Sequence, residues 1–341
     1  MTDSKSHLWT EVDYEADGKQ VSYIQLPHSV TRSAYGTIAI PLTVIKNGRG
    51  PTALLMAGNH GDEYEGQITL GRLIREIDPE DIEGRLIVMP AANLPAAMNG
   101  TRVSPIDEGN LNRAFPGSPD RTPTFQIAHY LDTVVVPKCE VWFDLHSGGG
   151  SLDYVPFACV AASGKAALDR RSVEILKAFG APFNLVLTHL PDSRVAHSTA
   201  HRHDVVYFSG EFGGGGSVDP DGVALTYDGL VRALTHTGIL KNQEKFKPTK
   251  RPGPMRWAQM LGRSYYVYAP EGGLYEPVVK LGDTVEKGQL AGLVHFVDNP
   301  GRAPIPAHFK DDGVVICKRH YGRVERGDCV SHLATEMQAV P

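Results

Sequence analysis

The residue types best suited to chemistry begin at Gly58-Asn59-His60-Gly61-Asp62-Glu63. An imidazole and a carboxylate three residues apart can grip one divalent metal ion, and Gly58 and Gly61 free the backbone to turn both side chains inward. An H-x-x-E pair is common, and by itself it could equally be a surface loop with a solvated Asp-Glu pair. Two more residues strengthen it. His146 ends the run Val141-Trp142-Phe143-Asp144-Leu145 and leads into three glycines, and Glu211 follows Gly210 at the end of a second apolar run. Two histidines and a glutamate leave one position open on a tetrahedral ion, which is the arrangement of a hydrolytic site. Glu211 is the candidate for moving the proton, because it belongs at the cleft without being a ligand.

These side chains need a scaffold that brings them together. Residues 53–57 form an apolar run that reads as a buried strand, followed by a helix over 67–77 with Ile68, Leu70, Leu73, Ile74 and Ile77 on its apolar side. Residues 85–90 form another strand. Further helices are expected over 125–136, 165–179 and 228–237, and strands near 141–145, 185–188 and 205–209. Two alternating segments, 21–26 and 37–46, look like antiparallel strands opening the domain, with Asn47-Gly48 as a turn. The order strand, helix, strand predicts an α/β fold with a mixed, largely parallel sheet flanked by helices. His60, Glu63, His146 and Glu211 each lie just past a predicted strand's carboxyl end, where open α/β sheets bind their ligands. The long stretch 91–120, rich in Asn, Gly, Pro and Arg, is expected to be a functional loop; it carries Arg102 and Asn110-Leu111-Asn112-Arg113-Ala114-Phe115-Pro116-Gly117.

Composition narrows the function. The 341 residues carry a net charge of -5 from well-mixed signs, with no Lys/Arg run of the kind that neutralises phosphates, so nucleic acid is not an expected partner. Residues 1–18 are polar and acidic, which argues against a secretory signal, and no apolar run is long enough to span a bilayer; a cytoplasmic protein is expected. Cys139, Cys159, Cys317 and Cys329 contain no C-x-x-C pair and read as reduced core residues. The glycines at 148–150 and 213–216 are not followed by the Lys-Ser/Thr of a phosphate loop, nor is there a G-x-S-x-G elbow of a serine hydrolase.

The length suggests a catalytic domain over 1–241, a polar linker over 242–254 and a small β-rich domain over 255–341. Within the last, Gly282-Asp283-Thr284-Val285-Glu286-Lys287-Gly288 is echoed by Gly322-Arg323-Val324-Glu325-Arg326-Gly327, an arrangement that resembles biotinyl and lipoyl carrier domains. The connecting segment His295 to Gly301 holds no Lys to modify, so a structural or site-capping role is expected, with Tyr275 as a candidate to reach the cleft. The cluster His197, His201 and His203 lacks the Glu of H-E-x-x-H and reads as solvated surface.

Taken together, H-x-x-E at His60 and Glu63, N-L-N-R-A-F-P-G, D-L-H-S-G ending at His146 and G-E-F-G around Glu211 resemble the succinylglutamate desuccinylase and aspartoacylase family over about residues 35–335. That resemblance implies the zinc carboxypeptidase fold and removal of acyl groups from small N-acyl amino acids. It implies one zinc ion per chain on His60, Glu63 and His146, and Glu211 as general base and acid. Asn112 and Arg113 would hold the substrate carboxylate and Arg102 would stabilise the oxyanion. Asn110 departs from the Asp of many members. Asp144, on the same strand as His146, is a candidate to support it from behind or to cap a neighbouring loop. The wording G-N-H-G-D-E-Y-E-G and G-T-R-x-S-P-I-D-x-G-N-L-N-R-x-F-P-G most resembles the bacterial branch that deacetylates N-alpha-acetyl-L-2,4-diaminobutyrate in ectoine breakdown. Another N-acyl amino acid deacylase, a metallocarboxypeptidase and a non-catalytic binding module are the competing readings. The number of subunits is left open, a homo-oligomer included.

Overall fold

The computed structural model describes residues 6–188, 192–249 and 253–338; part of the expected linker, 250–252, lies outside the described residues. The chain enters through β1 (Trp9–Thr10), β2 (Gly18–Pro27) and β3 (Thr37–Asn47), which pair antiparallel as the alternating pattern predicts. It continues through β4 (Thr52–Ala57), α1 (Tyr64–Glu76), β5 (Gly84–Met89), α2 (Leu94–Asn99), α3 (Pro123–Tyr130) and β6 (Val141–His146). Then follow β7 (Leu152–Tyr154), β8 (Phe157–Ala161), α4 (Ala166–Phe179), β9 (Phe183–Leu187), α5 (Ala196–Arg202), β10 (Val206–Glu211) and α6 (Pro220–His236). The remaining strands are β11 (Arg256–Met260), β12 (Tyr266–Tyr268), β13 (Gly273–Pro277), β14 (Thr284–Val285), β15 (Leu290–His295), β16 (Ile305–His308), β17 (Gly313–Arg319), β18 (Arg323–Val324) and β19 (Cys329–Glu336).

Fifteen of these strands form one mixed sheet, in the order β1-β2-β3-β5-β4-β6-β10-β8-β9-β11-β19-β17-β14, with β12 beside β19 and β7 beside β17. The parallel character expected of it is confined to the middle: β5-β4-β6-β10 run parallel, and so do β8-β9-β11. Both ends and the β10–β8 junction are antiparallel. Strand β11 follows the 242–254 stretch and yet pairs with β9, while β7 pairs with β17, so backbone ladders join the chain before and after that stretch. The four strands β16-β15-β13-β18 form a separate antiparallel sheet. The two echoed segments end up on opposite sheets, as β14 and β18.

The central strands are buried along their whole length because both faces are covered. Their alternate residues divide cleanly between two cores. Ala53, Leu55, Phe143, Leu145 and Phe208 face α1, α4 and α6, while Leu54, Met56, Trp142 and Tyr207 face the other side with Leu26, Ile40 and Ile127. Helix α1 buries Leu70 and Leu73 on this sheet, and Gly66 permits the approach, since a Cβ there would meet the Cβ atoms of Leu145 at 2.7 Å and Ala57 at 3.0 Å. Ile68 departs from the expected apolar side and is 44% exposed: it lies about 200° around the helix from Leu70 at 100° per residue. Helix α6 begins well before residue 228, at Pro220, because the Asp219 carboxylate accepts the Asp221 N–H and Pro220 fits a first helical turn.

Phe208 is fully buried between Phe143 (ring centroids 5.2 Å) and Phe179 (4.6 Å). Phe208→Ala should cost roughly 3–5 kcal/mol, read as a lower urea midpoint at unchanged slope. A shift too small to measure would show that this layer does not carry the fold.

Candidate metal centre and substrate cavity

Strand register creates the site. His146 is the last residue of β6 and Glu211 the last of β10, and the parallel ladder sets them directly side by side. Strand β4 lies on the other side of β6, with Ala57 opposite Leu145, so the loop leaving β4 emerges at the same edge. In that loop Gly58 takes a φ of +65°, a conformation that suits glycine. Gly61 lies against the Ala96 backbone where a Cβ would not fit, and its N–H bonds to Thr101 O at 2.9 Å. His60 is thereby turned inward, and Glu63 occupies the position just before α1.

All three side chains are buried, and their ligand atoms lie within 4.8 Å of one another; among the described residues this is the one cluster of three or more such groups. Glu63 bridges the pair, with Oε1 2.7 Å from His60 Nδ1 and Oε2 2.8 Å from His146 Nδ1. The outer nitrogens also face acceptors: His60 Nε2 lies 3.2 Å from Asn110 Oδ1 and His146 Nε2 lies 3.1 Å from Asp144 Oδ2. An imidazole whose Nε2–H points to such an acceptor turns its Nδ1 lone pair inward. Two lone pairs and a carboxylate converging on one point repel unless positive charge sits among them, either a proton or a metal ion. Two imidazole nitrogens and a carboxylate oxygen are a donor set that suits a divalent transition ion or zinc.

The protein's own charges set the ionisation pattern. Burial would raise the Glu63 carboxyl, but His60 and His146 on either side hold it well below the usual range. Burial likewise opposes charge on His146, and the Asp144 and Glu63 carboxylates outweigh it, raising the group well above an ordinary histidine. His60, with burial dominant, is lowered. Glu211 is pushed well above the usual carboxylate range, first by burial and then by the charge on Glu63. Without a cation at the cluster the two neighbouring carboxyls are driven in opposite directions, Glu63 toward the ionised form and Glu211 toward the protonated one.

A cavity of about 460 Å³ connects these groups with Arg102, Asn112 and Arg113. Arg102 reaches Glu63 Oε1 at 3.3 Å. Arg113 stands 3.6 Å from Asp192, and its guanidinium is lowered by burial and by the nearby charge of Arg102. Two guanidinium groups so placed favour an anion between them. Asn112 also lines the cavity, and its Oδ1 accepts the Ala196 N–H at the start of α5 (2.9 Å). The seven residues expected to bind metal, move protons or hold substrate (His60, Glu63, Arg102, Asn112, Arg113, His146 and Glu211) thus border one space.

A model described as the succinylglutamate desuccinylase/aspartoacylase catalytic domain matches residues 49–237. The chain belongs to that family. Over 335 residues it is 40% identical to the N-alpha-acetyl-L-2,4-diaminobutyric acid deacetylase of Halomonas elongata, an alignment covering 98% of this chain and 97% of that protein. The product-bound structure of the ectoine utilization protein EutE (DoeB) from Ruegeria pomeroyi superposes with a TM-score of 0.92 at 38% identity, covering 97% of this chain and 99% of that one. A succinylglutamate desuccinylase structure from Silicibacter sp. TM1040 also gives 0.92, at 35% identity and coverage of 98% and 100%.

Some site residues of this family member were not legible in its sequence, and others fall elsewhere than expected. Tyr275 does not reach the cleft; it is buried in the core between the C-terminal strands, packed with Val267, Val294 and Val324. Tyr266 and His332, paired in register on β12 and β19, line the cavity instead. Their rings lie 5.1 Å apart, and Tyr154 OH is 3.2 Å from His332 Nε2. Burial lowers His332 to about 3, so this wall is uncharged. The solvated reading of His197, His201 and His203 holds only in part: His197 and His201 lie on α5, His203 follows its end, all three are half-buried, and His197 borders the cavity. Asp144 lies behind His146, as one of the two expectations had it, with Oδ2 3.1 Å from Nε2, and the same oxygen accepts from Tyr207 OH at 2.7 Å and Asn59 Nδ2 at 3.3 Å.

If the inward-facing acceptors bind a metal ion, a free-ion concentration about 100 times Kd should stabilise the fold by about 2.7 kcal/mol. A chelator should reverse the accompanying rise in Tm, and Glu63→Ala should be insensitive to both. Equal melting with and without metal would exclude a metal centre.

Proposed function

We propose that the chain is a zinc-dependent deacylase that hydrolyses the amide bond of a small N-acyl amino acid, with N-alpha-acetyl-L-2,4-diaminobutyrate as substrate and diaminobutyrate and acetate as products. The observation that carries this reading is the position of Glu211 beside the His60–Glu63–His146 cluster, in one cavity with Arg102 and Arg113. The deacetylase of Halomonas elongata and the ectoine utilization protein of Ruegeria pomeroyi support the choice of acyl group and amino acid.

In this mechanism His60, Glu63 and His146 hold one zinc ion, which when bound supplies Lewis-acid polarisation of the scissile carbonyl and activation of water. Arg113 takes the substrate carboxylate with two parallel N–H bonds, and the Asn112 amide nitrogen donates beside it. Arg102 donates to the carbonyl oxygen as negative charge develops there. Glu211 removes a proton from the attacking water and delivers it to the amine nitrogen as the C–N bond breaks. Burial and the Glu63 charge raise the proton affinity of Glu211, which suits its holding the proton taken from water, and the positive charge of a cation at the cluster would favour the ionised form that the first half of the transfer needs. Residues 255–338 act as the roof of the cavity, a role supported by Tyr266 and His332 along its wall. A cytoplasmic setting fits the free thiols of Cys139, Cys159, Cys317 and Cys329.

Glu211→Gln should retain stoichiometric zinc and lose turnover by about 10²–10⁴-fold; wild-type turnover would remove Glu211 from the base role. Arg113→Ala should raise KM for N-acetyl amino acids by roughly 10- to 100-fold with a smaller change in kcat, and an unchanged KM would end its anchoring role. A panel of acetyl, succinyl and aspartyl substrates tests the acyl group. Cleavage of dipeptides with no cleavage of N-acetyl amino acids would favour a carboxypeptidase.

A further inference from the structure

The turn that carries Arg113 is fastened to the metal-ligand cluster through Asn110. Asn110 immediately precedes the single helical turn Leu111–Arg113, and its carbonyl accepts the Arg113 N–H at 3.0 Å. Its side-chain Oδ1 lies 3.2 Å from His60 Nε2. Two residues further on, Asn112 Oδ1 bonds to the start of α5. The turn is thus strung between His60 and α5, with Arg113 at its end.

His60 and His146 are backed differently. His146 leans on Asp144, a fully buried carboxylate already engaged by Tyr207 and Asn59. His60 leans on an uncharged, half-buried amide. An amide oxygen and a carboxylate oxygen can both only accept, so with a cation in place of a proton at Nδ1 the remaining ring proton sits on Nε2, where Asn110 Oδ1 receives it. Because the same side chain heads the Arg113 turn, a shift of the His60 ring is a shift of the carboxylate anchor.

We propose that Asn110 is a positioning residue with two linked effects: it fixes the ring and tautomer with which His60 faces the cation, and it registers the Arg113 turn on the metal cluster, coupling metal loading to carboxylate binding. This rests on His60 serving as a metal ligand, as proposed above. The coupling is reciprocal, so zinc tightens the carboxylate ligand by the same factor as that ligand tightens zinc.

The test is zinc affinity by chelator competition, with and without 2,4-diaminobutyrate, for the wild type, Asn110→Ala, the near-isosteric Asn110→Leu and Asn110→Asp. Removing the acceptor should weaken zinc by about 10- to 100-fold and collapse the mutual tightening, and Asn110→Asp, which restores an acceptor, should recover both. Under saturating zinc, the Ala and Leu variants should show a raised KM with a smaller change in kcat. Long-range ¹H–¹⁵N spectra should show the Nε2–H tautomer of His60 in the wild type and a mixture in the Leu variant. Zinc affinity within twofold of wild type in a folded Ala or Leu variant would overturn the proposal, as would an Asp variant as weak as Ala. Failure of the wild type to bind zinc would strike the metal reading itself.

Discussion

One carboxylate between two imidazoles governs this molecule's chemistry. Glu63 presents one oxygen to each of His60 and His146 at 2.7 and 2.8 Å, and the outer nitrogens of both rings are backed by acceptors. With the outer nitrogens donating to those acceptors, the inward nitrogens and the carboxylate hold together only with positive charge among them, carried by a proton or by a metal ion. The same excess of negative charge reaches Glu211, where burial and the Glu63 carboxylate favour the protonated form. The proposed cation binding and proton transfer would therefore draw on one electrostatic arrangement, not on two independent sites.

The arrangement depends on the register of three strands. The ladders β4–β6 and β6–β10 bring their carboxyl ends to one edge, so His60, His146 and Glu211 meet although they are far apart in the chain. Core packing keeps that register in place: a one-residue slip of β6 would exchange Trp142 and Phe143 between two cores lined by different partners. Burial of these strands is thus a condition for the chemistry as well as for stability. The substrate-facing side is built differently, from the loop holding Arg102, the short turn ending at Arg113, and the β12–β19 pair that brings Tyr266 and His332 over the cavity.

Much of this was legible in the residues themselves. Apolar runs ending in His146 and Glu211, and the glycine-flanked loop at His60, announced strands whose ends carry functional groups. Asp219-Pro220 is an equally readable helix start, yet the expected helix begins near residue 228 because the apolar periodicity is clear only there. The α5 segment misled for the opposite reason: its histidines dominate the composition, while the residues that bury it, Ala196 and Ala200, are small.

Local pattern by itself determined the chemical alphabet of this protein: which strands would be buried, where their ends lie, and that two histidines and two glutamates stand at or just past those ends, while the roles of the two arginines were implied only by the family resemblance. Such facts depend on neighbours within a few residues, where apolar spacing and turn chemistry act. Only the tertiary structure decided that Tyr266 rather than Tyr275 faces the cavity, because on β-strands a side chain's direction follows from which partner it pairs with. It likewise decided that Asn110 stands behind His60, a contact across fifty residues. Contacts between such distant positions are set by how sheets and loops pack, and no spacing along the chain encodes them.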